Sequence, residues 1–304
     1  MWVIEAAVIV LLGAAARAAG EAASRSAWAR WSIDAVVIAA GGGALIIGTM
    51  ALVAGRVEWG TGAVGVGSAL LLAWWRPYRS FVARWIPIDP TSILDALGLA
   101  VLQATLVLFL SVLVHTTAFP SLMISRSQLV GQAVAEVALA FVSVGFPFSR
   151  NWSSTLERLG VTRPSWQTVG GALLFALGMF VISLLTGVLA QLMQPEAAAR
   201  IAERLSPLTM QFGSPGWAIL LGIVVGIGEE VLFRGAIQPR YGLLLTASLF
   251  TVLHVQYELS VVALGVFALA VLLGIERRRL GTTACILSHA VYDAVVVMLA
   301  SLLW

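Results

Sequence analysis

Two adjacent glutamates and an arginine, Glu229, Glu230 and Arg234, interrupt an apolar run in "GIGEEVLFRG" (residues 226–235). Each such charge at the centre of a spanning helix costs about 2.5–3.5 kcal/mol on insertion scales. Residues this costly default to a functional site. On a helix Glu230 and Arg234 are i,i+4 neighbours and pair along one face. Glu229 points about 100° away and is left to face something else. Downstream, His254 closes "LLLTASLFTVLH" with Phe250 one turn before it, and His289 and Asp293 are again i,i+4. A water, a carboxylate and a histidine in a low-dielectric cavity form a hydrolytic site. Glu229 is the expected general base, His254 its partner on the water, and His289 the donor to the oxyanion.

These residues sit in a chain built for lipid. Of 304 residues 60% are hydrophobic and 11% charged, against roughly 25% charged in soluble domains. The expected fold is all-α, a polytopic transmembrane helical bundle of about 8–10 transmembrane helices with the catalytic core in the last four. Candidate spans are 2–16, 33–54, 60–75, 93–118, 128–148, 167–193, 215–233, 243–257, 259–275 and 282–304. The third and eighth are short enough to be tilted or re-entrant. Residues 2–16 read as a first retained helix, a cleaved signal being the alternative. Three parts are expected: N-terminal transmembrane helices of unknown role (1–193), an interfacial connector (194–214) and a catalytic helical core (215–304). The loop 149–166 reads as a second interfacial helix.

The basic residues carry topology and no nucleic-acid signal. All 18 cations are arginine, and alternating the connections puts thirteen on one side against Arg56, Arg126, Arg200 and Arg204 on the other, leaving out Arg234. The positive-inside rule makes the first side cytoplasmic and both termini non-cytoplasmic. The expected setting is a bacterial inner or plasma membrane, with membrane lipid and a protein or peptide substrate bearing a membrane-embedded or lipid-anchored segment as partners.

Taken together, Glu229-Glu230-xxx-Arg234, Phe250-xxx-His254 and His289-xxx-Asp293 resemble the three motifs of the CPBP intramembrane proteases (CAAX protease and bacteriocin-processing, Abi), related to the type II CAAX prenyl endopeptidases. The resemblance covers about residues 214–300. It implies a glutamic-type endopeptidase: Glu229 as base with His254, Glu230 paired with Arg234, and His289 with residue 293 on the oxyanion. The family most often has Asn where Asp293 stands. An ionised Asp repels an oxyanion, so Asp293 is expected to be protonated or to hold the His289 tautomer.

Other readings compete. Glu229, His254, His289 and Asp293 also make an oxygen and nitrogen set that zinc accepts. Arg234 opposes a cation there and no HExxH is present, so no cofactor is expected. Cys285, one turn before His289, suggests a thiol protease, although nothing in the sequence activates it. A proton-coupled transporter or non-catalytic scaffold is the alternative from another class, but the paired repeats of a transporter are absent. His115 reads as a helix-end residue, Asp95 as an acid favoured by the start of its helix, and Glu136 as a lone mid-span carboxylate paired elsewhere.

Overall fold

A computed structural model describes residues 2–116, 119 and 122–302, with side chains from residue 7 onward. The outer ends of two expected spans, 117–118 and 303–304, lie outside the described residues. Among those described there is no β-strand, and the chain is a polytopic helical bundle.

All ten expected spans fall on helices. These are α1 (Trp2–Arg25), α2 (Ala27–Val53), α3 (Val57–Trp74), α5 (Ile93–His115), α6 (Arg126–Val144), α8 (Trp166–Met193), α10 (Pro215–Glu230), α12 (Leu243–Leu253), α13 (Val261–Leu280) and α14 (Thr282–Ser301). Short helices α4 (Arg76–Val82), α7 (Trp152–Leu159), α9 (Pro195–Phe212) and α11 (Gln238–Tyr241) fill connections. Seven helices among the described residues are long and apolar enough to cross a membrane. α12 falls short with 11 residues, and α13 ends in Glu276 and three arginines. Leucines such as Leu11, Leu174 and Leu184 are exposed, which suits a surface solvated by lipid tails.

Helix starts are written locally. Ser125 accepts from Gln128 N–H while the Gln128 side chain returns to the Ser125 N–H, a complete capping box for α6. Ser92, Ser165 and Ser260 cap α5, α8 and α13 in the same way from one side.

Two compact units form, each drawing on separate stretches of chain. One comprises Ala14–Thr117 and Arg240–Val255. There α2 and α3 approach through glycines: a Cβ on Gly48 would stand 2.7 Å from the Val64 nitrogen. Ala73, Ile88, Leu99 and Ala100 form its core. Arg79 is buried and closes the end of α3 by donating to the carbonyls of Ala73 and Trp74. Asp95 accepts from the Asp89 N–H at 2.7 Å and is ion-paired with Arg240. His115 meets the Thr61 hydroxyl at 2.8 Å.

The second unit comprises Met1–Gly13, Ala118–Pro239 and Gln256–Trp304. Its central contact is α10 on α14. Gly222 and Gly226 are one turn apart, a small-xxx-small face. A Cβ on Gly222 would collide with the Ala290 carbonyl, and one on Gly226 would lie 3.0 Å from that of Ile286. With no hydrophobic effect between helices in lipid, this close backbone approach supplies the association. α8 packs on the far side, where Ser183 and Tyr292 hydroxyls meet at 2.5 Å. At the end of α7, Gly160 adopts φ +70° and its carbonyl receives the Thr282 N–H that starts α14. A side chain there would be strained and would strike the Arg277 guanidinium.

α9 is fastened to the turn before α13 by charge. Glu258 accepts from Arg204 at 2.7 Å and from Arg200 at 3.1 Å, and Arg204 also donates to the Gln256 carbonyl at 2.6 Å. Burial alone would push the Glu258 carboxyl up. The bonds and charges of the two arginines outweigh it and hold the group below the usual carboxylate range.

Gly222→Leu is expected to lose about 1–3 kcal/mol by overpacking α10 against α14, read as a lower unfolding midpoint in detergent. Gly216→Leu, with open space around its Cβ position, is the matched control; equal midpoints for the two would refute the contact. The Glu258 clamp carries a sign. A depressed folded pKa contributes stability above the ordinary carboxylate value of about 4.3 and loses it as pH falls through the folded value. Protection of α9 amides, relative to their intrinsic exchange rates at each pH, is therefore expected to fall at acid pH in the native protein and already at neutral pH in Glu258→Gln. Pepsin-fragment mass spectrometry reads both.

Candidate active site

Glu230 ends α10 with no exposed surface, and the chain continues from it into a π-helical segment, Val231–Ile237. Such π turns mark functional positions more often than chance. Arg234 lies within this segment, buried, with its Nε 3.2 Å from Glu230 Oε2 and its Nη2 donating to the Ala270 carbonyl of α13 at 3.3 Å. Glu230 Oε1 accepts from His289 Nδ1 at 2.7 Å. One carboxylate thus holds a guanidinium from its own helix and an imidazole from α14, one on each oxygen.

Because the Glu230 carboxylate can only accept, Nδ1 of His289 carries the proton. Nε2 points toward two further acids, Asp293 Oδ2 at 3.4 Å and Glu229 Oε2 at 4.0 Å. The i,i+4 spacing on α14 therefore does bring His289 and Asp293 together, and the close approach of α10 brings Glu229 and Glu230 to the same ring.

Phe250 and His254 belong to the other unit. There His254 ends α12, its Nδ1 is 2.7 Å from the Phe250 carbonyl, and the two rings stack at 4.5 Å. A carbonyl only accepts, so a neutral His254 keeps its proton on Nδ1 and has Nε2 as its basic nitrogen.

Sequence reasoning passed over four residues that the fold carries to the first cluster. Glu136 of α6 is one: a Cβ on Gly228 would collide with its Oε2, so its carboxyl occupies the space beside Glu229 that the glycine leaves open. Tyr257 is another, within electrostatic reach of Asp293 and Glu229. Glu276 is fully buried and accepts from the Ser288 hydroxyl at 2.6 Å, one residue before His289. Gln132, one turn before Glu136, donates to it at 3.0 Å. The lone carboxylate of α6 was the one visible signal among these. Cys285, by contrast, is a core thiol. It is buried among Met179, Leu269 and Leu273 and donates to the Leu273 carbonyl at 3.3 Å.

Among the described residues no three His, Cys, Asp or Glu side chains stand as a metal-ligating group. Glu230 is committed to Arg234 and His289, and the Arg234 guanidinium adjoins the acids a cation would need.

A helical membrane bundle with clustered acids and an imidazole at membrane depth defines an intramembrane hydrolase class. Residues 211–295 match the family described as Type II CAAX prenyl endopeptidase Rce1-like. That domain is consistent with the CPBP class and supports a membrane-embedded protease acting on a protein or peptide. No curated protein and no solved structure matches the chain.

Arg234→Met strands a buried carboxylate and is expected to cost about 3–5 kcal/mol. Adding Glu230→Gln to it should recover part of that loss. Thermal unfolding of the single and double variants in detergent measures both, and additive losses would contradict a direct pair.

Proposed function

We propose that the chain is a metal-independent intramembrane endopeptidase in which Glu229 is the general base. The observation that carries this reading is the division of labour around His289. Glu230 is engaged on both oxygens by Arg234 and His289, whereas Glu229 stands beyond hydrogen-bond length of the same imidazole within a matched protease domain. Glu229 takes a proton from water as the water oxygen bonds to the peptide carbonyl carbon. His289 stabilises the oxyanion that forms. Asp293, the acid where the family motif most often has Asn, holds the His289 ring from its Nε2 side and does not itself face the oxyanion.

The substrate in this reading is a membrane-associated protein or peptide presented from the lipid. In this reading residues 215–304 supply the chemistry and the helices before residue 194 supply docking. In this reading the site lies toward the cytoplasmic half of a bacterial plasma membrane with both termini on the opposite side, an orientation that the arginine asymmetry of the connections supports.

Deletion strains complemented with wild-type or Glu229→Gln protein test the proposal by membrane proteomics. One or a few membrane proteins are expected to accumulate in unprocessed form only with Glu229→Gln. Loss of a general base slows the step by about 10²–10⁴-fold. Identical membrane proteomes would sink the reading.

A further inference from the structure

Glu136 sits at mid-span of α6, and the site reading above gives it no task. Two observations say that it has one. First, its Oε2 fills the position that a side chain on Gly228 would take, so α10 is carved out next to Glu229 to admit a second carboxyl. Second, its hydrogen-bond donor Gln132 is exposed although it too lies within a helix long and apolar enough to span. An exposed amide at that depth is costly against lipid. The Gln132–Glu136 pair therefore lines a polar, accessible face of the site and is no satisfied core contact.

The charges facing Glu136 decide its state. They are Glu229 and Glu230 from α10 and His289 from α14, with the neutral amide of Gln132 on its own helix donating a hydrogen bond. Around this cluster five carboxyls (Glu136, Glu229, Glu230, Glu276, Asp293) share two cationic side chains, Arg234 and His289, and Glu276 is held by the Ser288 hydroxyl. Glu230 takes up both of these, and Asp293 adds to His289. Like charges confined together in a low-dielectric site do not all ionise, and one carboxyl of a close pair keeps its proton.

Resting on the protease reading, we propose that Glu136 is a further catalytic residue: a carboxyl that keeps its proton beside ionised Glu229 and gives it to the departing nitrogen. Water bonds through oxygen to the carbonyl carbon while its proton passes to Glu229. The Glu136 proton then passes to the amide nitrogen as the C–N bond breaks and its electron pair stays on nitrogen. The proton on Glu229 crosses to Glu136, and the pair is reset. One water is consumed, one acid and one amine are released, and no other reactant is needed. Neither Glu230, held by two cations, nor Asp293, against His289, is placed to supply that proton.

Infrared spectroscopy of the protein in lipid vesicles at neutral pH tests the protonation directly. Wild type is expected to show a protonated-carboxyl band, shifted in D₂O, that disappears in Glu136→Gln. In Glu136→Asp, a variant that keeps the carboxyl should the amide one fold poorly, the band moves and persists. Unchanged wild-type and Glu136→Gln spectra would overturn the proposal. Pulse–chase processing of the precursor that accumulates with Glu229→Gln gives the catalytic readout. Glu136→Gln is expected to slow processing about 10²-fold, with Glu136→Asp partly restoring it. Wild-type rates in Glu136→Gln, with Glu229→Gln still inactive, remove this inference alone. Full processing in Glu229→Gln removes the protease reading beneath it.

Discussion

Everything at the candidate site hangs on the carboxylate of Glu230, fully buried and bonded on one oxygen to Arg234 and on the other to His289. Removing a carboxylate and a guanidinium from water costs several kcal/mol per ion, and attraction repays it only when geometry and further hydrogen bonds are good. Here the additional partners come from α13, through the Ala270 carbonyl, and from α14, through His289. The ion pair is thus less a source of stability than a fixed point. It ties the end of α10, the π-helical turn after it and two later helices to one geometry, and it sets which nitrogen of His289 faces the buried acid.

That fixed point requires helices to come unusually close. His289 reaches Glu230 across 59 residues of chain because Gly222 and Gly226 let α14 lie backbone against backbone on α10. Gly228, two residues further and so on the opposite face of α10, performs the same service for α6 and admits Glu136. The glycines of α10 therefore do two jobs on two faces: one holds the bundle together in lipid and the other hollows out the site. The other unit repeats the electrostatic half of the scheme with different residues. Asp95 is buried at the start of α5 and is met there by Arg240. The helix dipole that favours an acid at that position is supplemented by a full counter-charge.

Much of this was legible in the sequence, for identifiable reasons. Hydropathy runs marked the seven helices among the described residues that are long and apolar enough to cross a membrane, with α3, α12 and α13 outside that set, because lipid selects apolar stretches regardless of tertiary packing. The three motifs were legible because i,i+4 spacing on a helix is a local geometric fact, as it is for Glu230 with Arg234 and His289 with Asp293. What escaped was everything that depends on how helices far apart in sequence approach one another. The bond from Glu230 to His289 joins two motifs that had been read separately. The segment "VLFRGAI" carries no composition that separates a π turn from an α turn. Glu276, in the polar ending "ERRR" of α13 and just beyond the expected span 259–275, is fully buried. Glu136 could be noticed as anomalous but not placed, since its neighbour lies on α10.

The arrangement around His289 also explains how a site can tolerate Asp where the related motif has Asn. An amide at position 293 can donate to an oxyanion, whereas an ionised carboxylate cannot. With Asp293 Oδ2 at 3.4 Å from Nε2 and Glu230 on Nδ1, the imidazole is held from both edges by acids. An ionised Asp293 in that position is attracted to the ring and adds to its orientation. The donor lost with Asn must then come from elsewhere in the cluster. The glycine at 228 makes room for one further carboxyl in that cluster, that of Glu136.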